Sequence, residues 1–158
     1  MNWKSLSDRI HYSGVVRPAT KTRLWNFLYN MCEYVDFKTL VFEFTKGKIA
    51  FYDADKQKIC IGDQLLKPVA LGFFAIAHEL GHYISNAPGM SEVEMELAAN
   101  EWIWENFFFP GKLNTKIKPA LTGQVFLRYL TTLVKSKDPV YSTAAIEFCS
   151  RHAIPIKK

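Results

Sequence analysis

Apolar residues recur at helical spacing from Thr20 onward, at Leu24, Phe27, Leu28, Met31 and Val35, which predicts a helix over about residues 19–34 with that stripe on the core. Trp3, Leu6 and Ile10 suit a short helix before it, and Gly14 to Pro18 reads as a connector. The period then changes. Leu40 to Phe44, Lys48 to Tyr52 and Lys58 to Ile61 are short β-branched and aromatic stretches, separated by Lys46-Gly47 and by Asp53-Ala54-Asp55. These separators are turn-like, so three antiparallel strands are expected. Asp53 and Asp55 lack the remaining ligands of a calcium loop and read as turn residues.

Helical spacing returns after Pro68, which can open a helix at about residue 69, with Phe73, Ile76, Ala77, Leu80 and Ile84 as its core side. Ser85-Asn86-Ala87-Pro88-Gly89 ends it, and a new helix starts at Ser91 and closes at Pro110. So short a connection returns the second helix antiparallel beside the first. Two further helices are predicted, from Pro119 to Lys135 and from Asp138-Pro139 to about His152. The expected architecture is α+β: a small three-stranded antiparallel sheet packed on a helical bundle, in one domain over residues 1–158.

A chain of this length with 49% hydrophobic residues can bury a core without staples. Cys32, Cys60 and Cys149 are odd in number and widely spaced, which suits reduced core thiols rather than a disulfide framework or a Cys-x-x-Cys site. The start, Met1-Asn2-Trp3-Lys4-Ser5, leads into a mixed polar segment with no signal-peptide core, and charged residues interrupt every apolar run before it reaches membrane-spanning length. A soluble, cytoplasmic protein is expected. Its net charge of +5 raises a nucleic-acid reading, but the lysines are dispersed, so a solvated basic surface that would equally attract an acidic protein is the better expectation.

One stretch carries chemistry: Ala75-Ile76-Ala77-His78-Glu79-Leu80-Gly81-His82-Tyr83-Ile84 holds His-Glu-x-x-His within an apolar helical run. Residues four apart on a helix share a face, so His78 and His82 offer two imidazoles to one ion. Zinc accepts such a pair and keeps a position for water in catalytic sites. Glu79, about 100° round the helix from His78, should flank the ion as a general base. Gly81 costs about 1 kcal/mol of helix propensity relative to alanine, which predicts a close neighbour there.

A third ligand should come from the next helix, where Glu92, Glu94, Glu96 and Glu101 are candidates. Ser91-Glu92-Val93-Glu94 reads as a capping box, which gives Glu92 and Glu94 a role at the helix terminus. Glu96 lies in the second turn with Asn100 one turn on, able to hold a ligating histidine through its other ring nitrogen. Glu96 is the first choice and Glu94 the alternative.

Phe74 to His82, followed by Glu96-Leu97-Ala98-Ala99-Asn100 and Pro110, resembles the ImmA/IrrE family of metallo-endopeptidases. That family typically shows Ala-His-Glu-Leu/Ile-Gly-His, then Glu-x-Glu-Ala-Asn-x-Phe-Ala, then a proline. The chain departs from the pattern at Ala98, Trp102 and Ile103. The resemblance spans about residues 58 to 110 and places Glu96 at the first acid. It implies a zinc endopeptidase acting on a protein substrate such as a transcriptional repressor or another regulator.

The leading expectation is therefore a zinc-dependent endopeptidase in which His78, His82 and Glu96 hold Zn2+ and Glu79 acts as general base. A non-catalytic metal-containing module that binds a regulatory partner is the alternative, and a nucleic-acid-binding protein the third. His11, His152, Tyr83 and Tyr141 are candidate donors to an oxyanion, among which sequence order does not choose.

Overall fold

The computed structural model describes residues 3–14, 16–37, 39–108 and 121–156. Pro110 and Pro119, expected to punctuate the helices, lie outside these. Among the described residues the chain is α+β, with six α-helices and one four-stranded mixed sheet. In chain order the elements are α1 (Trp3–Ser7), β1 (Ile10–Tyr12), α2 (Pro18–Met31), β2 (Val41–Thr45), β3 (Ala50–Asp53), β4 (Lys58–Gly62), α3 (Val69–Ser85), α4 (Glu92–Ile103), α5 (Gly123–Val134) and α6 (Pro139–Arg151).

The sheet corrects the expected antiparallel meander. Its order is β1-β2-β4-β3, with β1 parallel to β2, β2 parallel to β4, and only β3 antiparallel to β4. Ile10, assigned above to a short helix, is the first residue of an added strand too brief for its alternation to be readable. The chain leaving β2 passes over the place that β4 later fills and makes β3 an edge. Burial gives the physical reason. Ile59, Cys60 and Ile61 of β4 are all buried, as befits a central strand, whereas Phe51 of β3 remains 46% exposed.

Gly47 takes a φ of +143° in the turn into β3, a conformation glycine alone adopts freely. Asp63 accepts a hydrogen bond from its N–H at 2.9 Å. This ties the β2–β3 connection to the short 3₁₀ turn Asp63–Leu66 that leads into α3.

Helix α3 packs against β3, β4, α4 and α5, which makes it the joint between sheet and helices. Every residue from Gly72 to His82 except Ala75 is buried, the signature of a helix enclosed on all sides. Phe74 lies in the core stacked with Phe126 and with Tyr129, while Ile84, expected on the core side, is 46% exposed in the last turn. Helix α4 packs on α6, which in turn packs on α5. Cys60 and Cys149 are buried thiols, and Cys32 is half-buried with its Sγ donating to Leu28 O at 3.3 Å. No helix among the described residues is long and apolar enough to cross a membrane.

Candidate metal centre

His78 and His82 project from adjacent turns of α3, with ring centroids 4.7 Å apart and planes nearly perpendicular. Helix α4 returns beside α3 and brings Glu96 across both rings. Its Oε2 lies 2.7 Å from His78 Nε2, and its Oε1 lies 3.2 Å from His82 Nε2. The ligand atoms of these three residues fall within 4.8 Å of one another, in a group that could hold a metal ion.

The far side of each ring shows why the donors suit a cation. His78 Nδ1 donates to Asn100 Oδ1 at 3.2 Å, and His82 Nδ1 donates to Asn86 Oδ1 at 3.1 Å. Each asparagine oxygen can only accept, so the Nδ1 proton is committed and a neutral ring turns the Nε2 lone pair toward Glu96. Two lone pairs and a carboxylate converging in a buried space require positive charge between them, as protons or as a metal ion. Asn100 itself carries a cost here: its Nδ2 is buried with no hydrogen-bond partner among the described residues. Such an orphan costs about 1–3 kcal/mol. The Asn100 Oδ1 makes the contact that orients His78.

Electrostatics agree with this arrangement. Burial opposes ionisation of Glu96, but hydrogen bonds from His78 and His82 outweigh it and hold its carboxyl down at about 2. Burial also works against a charged His82, yet Glu96, Glu79 and Asn86 raise it overall. Glu79 has the opposite balance: burial pushes its carboxyl above the usual range, although the nearby histidines pull it down. The backbone N–H of Tyr52 on β3 also lowers it, which places the edge strand beside this acid.

The alternative acid is placed elsewhere. Glu94 Oε2 accepts from the Ser91 N–H at 2.7 Å while the Glu94 N–H donates to Ser91 Oγ, closing the capping box read from the sequence. Glu101 pairs with His152 at 2.7 Å, and Glu92 lies at the rim of the cleft described below. Comparison of the chain with protein-family models, curated proteins and solved structures finds no match, so geometry alone carries the reading of this site.

Gly81 is where the two helices meet. A Cβ there would lie 2.8 Å from both Cα and O of Ala99, one residue before Asn100. Gly81→Ala is therefore expected to push α4 away, at an overpacking cost of about 1–3 kcal/mol against about 1 kcal/mol of regained helix propensity. Glu96 and Asn100 would move with α4. Thermal unfolding and zinc titration should both weaken, and unchanged zinc affinity would show that the close approach is unimportant to the centre.

Two cavities flank Glu79. One, of about 350 Å³, includes His82, Glu96, Tyr52 and Tyr141 in its walls. The other, of about 430 Å³, includes His78, Tyr129 and Tyr141. Glu79, Ala50 and Tyr141 belong to both, so the cavities are two halves of one cleft along β3. Of the four oxyanion-donor candidates only Tyr141 is there. His11 lies against Asp8 O, His152 is paired with Glu101, and Tyr83 donates to Asp36 O. Burial, and then Glu96 and Glu79, raise the Tyr141 hydroxyl, which keeps its proton available to donate. Sequence reasoning missed Asn86 and the α5 and α6 walls. Asn86 was findable, since it stands one turn beyond His82 just as Asn100 stands one turn beyond Glu96.

Proposed function

We propose that the chain is a zinc-dependent endopeptidase of the kind its resemblance to the ImmA/IrrE family implies, cleaving a protein substrate such as a repressor or other regulator. The observation that carries the proposal is the convergence of His78 Nε2, His82 Nε2 and the Glu96 carboxylate within 4.8 Å, beside the buried Glu79. Two imidazoles and a carboxylate are a recurrent catalytic zinc set. Bound there, zinc would supply Lewis acidity, lowering the pKa of a water toward about 7 and polarising a carbonyl.

The chain's own groups do the rest. Glu79 takes a proton from the attacking water and returns it to the leaving amine, a task suited to a carboxylate whose proton affinity burial has increased. Tyr141 donates to the oxygen that gains charge as the carbonyl is attacked. The edge strand holds the substrate backbone. The Gly62 N–H donates to Ile49 C=O at 2.8 Å. By the alternation of an antiparallel ladder, Phe51 then also faces β4, while the polar groups of Ala50 and Tyr52 face the open edge. Both line the cleft, so a peptide can add there as a fifth strand on the Ala50 N–H and C=O and the Tyr52 C=O, the Tyr52 N–H facing Glu79.

Chelation tests the proposal. Stripping divalent metal from the full chain is expected to reduce cleavage of casein to background, and stoichiometric zinc should restore it. Cleavage that persists in the metal-free protein would overturn it.

A further inference from the structure

The two halves of the cleft differ in chemistry, and β3 orders them along a bound peptide. Lys48, Ile49 and Ala50, at the start of β3 and just before it, line the larger half, whereas Ala50, Phe51 and Tyr52 line the other. The larger half has an apolar wall from Leu65, Leu71, Ala75 and Leu133, with Lys48 and Lys67 also lining it. Among the described residues Ile49, at 71% exposure, is the most exposed of the large hydrophobic side chains, and it stands on that same half. Among the described residues no packing accounts for it, and apolar surface continuous with a pocket marks a binding edge. The smaller half is lined instead by Glu92 and Asp138, beside Asn86 and the metal centre. Both acids are exposed, so they meet a ligand's charge without first having to be unburied.

A peptide pairing antiparallel to β3 runs against it, so its N-terminal part lies beside residues 50–52 and its C-terminal part beside residues 48–50. Glu79 sits between the halves, which places the scissile bond there. Taking peptide hydrolysis as the activity, we infer that the preferred substrate carries lysine or arginine on the N-terminal side of the cleaved bond and a large aliphatic residue directly after it, followed by an acidic residue. Glu92 and Asp138 select the basic side, the apolar pocket selects the aliphatic side chain, and Lys48 and Lys67 select the acid beyond it. The polarity follows from taking the peptide antiparallel to β3, the pairing β3 already makes with β4, and a parallel peptide would reverse all three preferences.

The test uses three fluorogenic peptides with the zinc-loaded full chain: Lys-Lys-Ala-Gly-Leu-Ala-Glu-Glu, its charge-reversed counterpart with glutamates first and lysines last, and the first peptide with aspartate in place of leucine. The same peptides, labelled, are titrated by anisotropy onto the zinc-loaded Glu79→Gln chain, which reads binding without turnover. The first peptide is expected to exceed each of the others by on the order of tenfold, both in kcat/KM and in affinity. Glu92→Lys should narrow the gap from the charge-reversed peptide, and Leu133→Arg should narrow the gap from the aspartate peptide. Cleavage of all three at equal rates, or a preference for the charge-reversed peptide, overturns the inference and leaves hydrolysis standing. The expected order of binding without any cleavage by the unsubstituted chain upholds the assignment of the halves and removes the peptidase reading. Neither binding nor cleavage of any peptide overturns both.

Discussion

Glu96→Ala is expected to abolish stoichiometric zinc binding, with affinity falling by more than the roughly 10–100-fold that loss of an outer hydrogen-bond partner costs. The carboxylate spans both imidazoles, one oxygen on each. Removing it leaves two neutral donors, and neither Glu94 nor Glu101 can substitute, since one closes the capping box of α4 and the other is paired with His152. Zinc competition against a chromophoric chelator reads the change directly. The comparison that makes it specific is Glu94→Ala, which should keep zinc and lose only the stability of a helix cap, about 1 kcal/mol. Asn100→Ala falls between, with about 10–100-fold weaker zinc binding as His78 loses its orientation. Zinc retained at full affinity by Glu96→Ala, or lost by Glu94→Ala, would contradict the assignment of the third ligand.

The second large effect separates chemistry from binding. Glu79→Gln keeps size and shape, and Glu79 contributes none of the three converging donor atoms, so zinc should be retained. What disappears is a carboxylate able to accept a proton. Loss of a positioned general base lowers kcat by between about a hundredfold and ten-thousandfold, and a substitution of this size should not raise KM by a comparable factor. The fold should tolerate it, because burial already disfavours the charge on Glu79 and a neutral amide removes that penalty. Turnover of casein undiminished in a zinc-loaded Glu79→Gln chain would remove the base from the mechanism. Equal loss of zinc and of cleavage would instead make Glu79 structural.

Much of the candidate metal centre was legible because it is built from short-range rules. The spacing of His78 and His82 on one helix face, the reciprocal cap between Ser91 and Glu94, and the placement of Glu96 one turn before Asn100 all follow from helical geometry within a few residues. The glycine between the histidines announced a close neighbour, and Ala99 is that neighbour. Where the sequence reading failed, the interactions were long-range. The order β1-β2-β4-β3 depends on which strand β2 accepts as its second partner, and Lys58 to Gly62 takes that place although Ala50 to Asp53 comes first in the chain.

The same distinction divides the cleft. Local pattern determined that this chain makes a buried helix presenting two imidazoles and an acid, because side-chain direction on a helix repeats every 3.6 residues or so whatever surrounds it. Tertiary structure alone decided what stands opposite. Tyr129, Leu133 and Tyr141 from α5 and α6 line the cleft together with Glu79, and β3 joins them as an edge, through packing between segments dozens of residues apart. No periodicity encodes such a meeting: it is settled by which apolar faces can be buried together at once, a property of the whole chain rather than of any stretch of it.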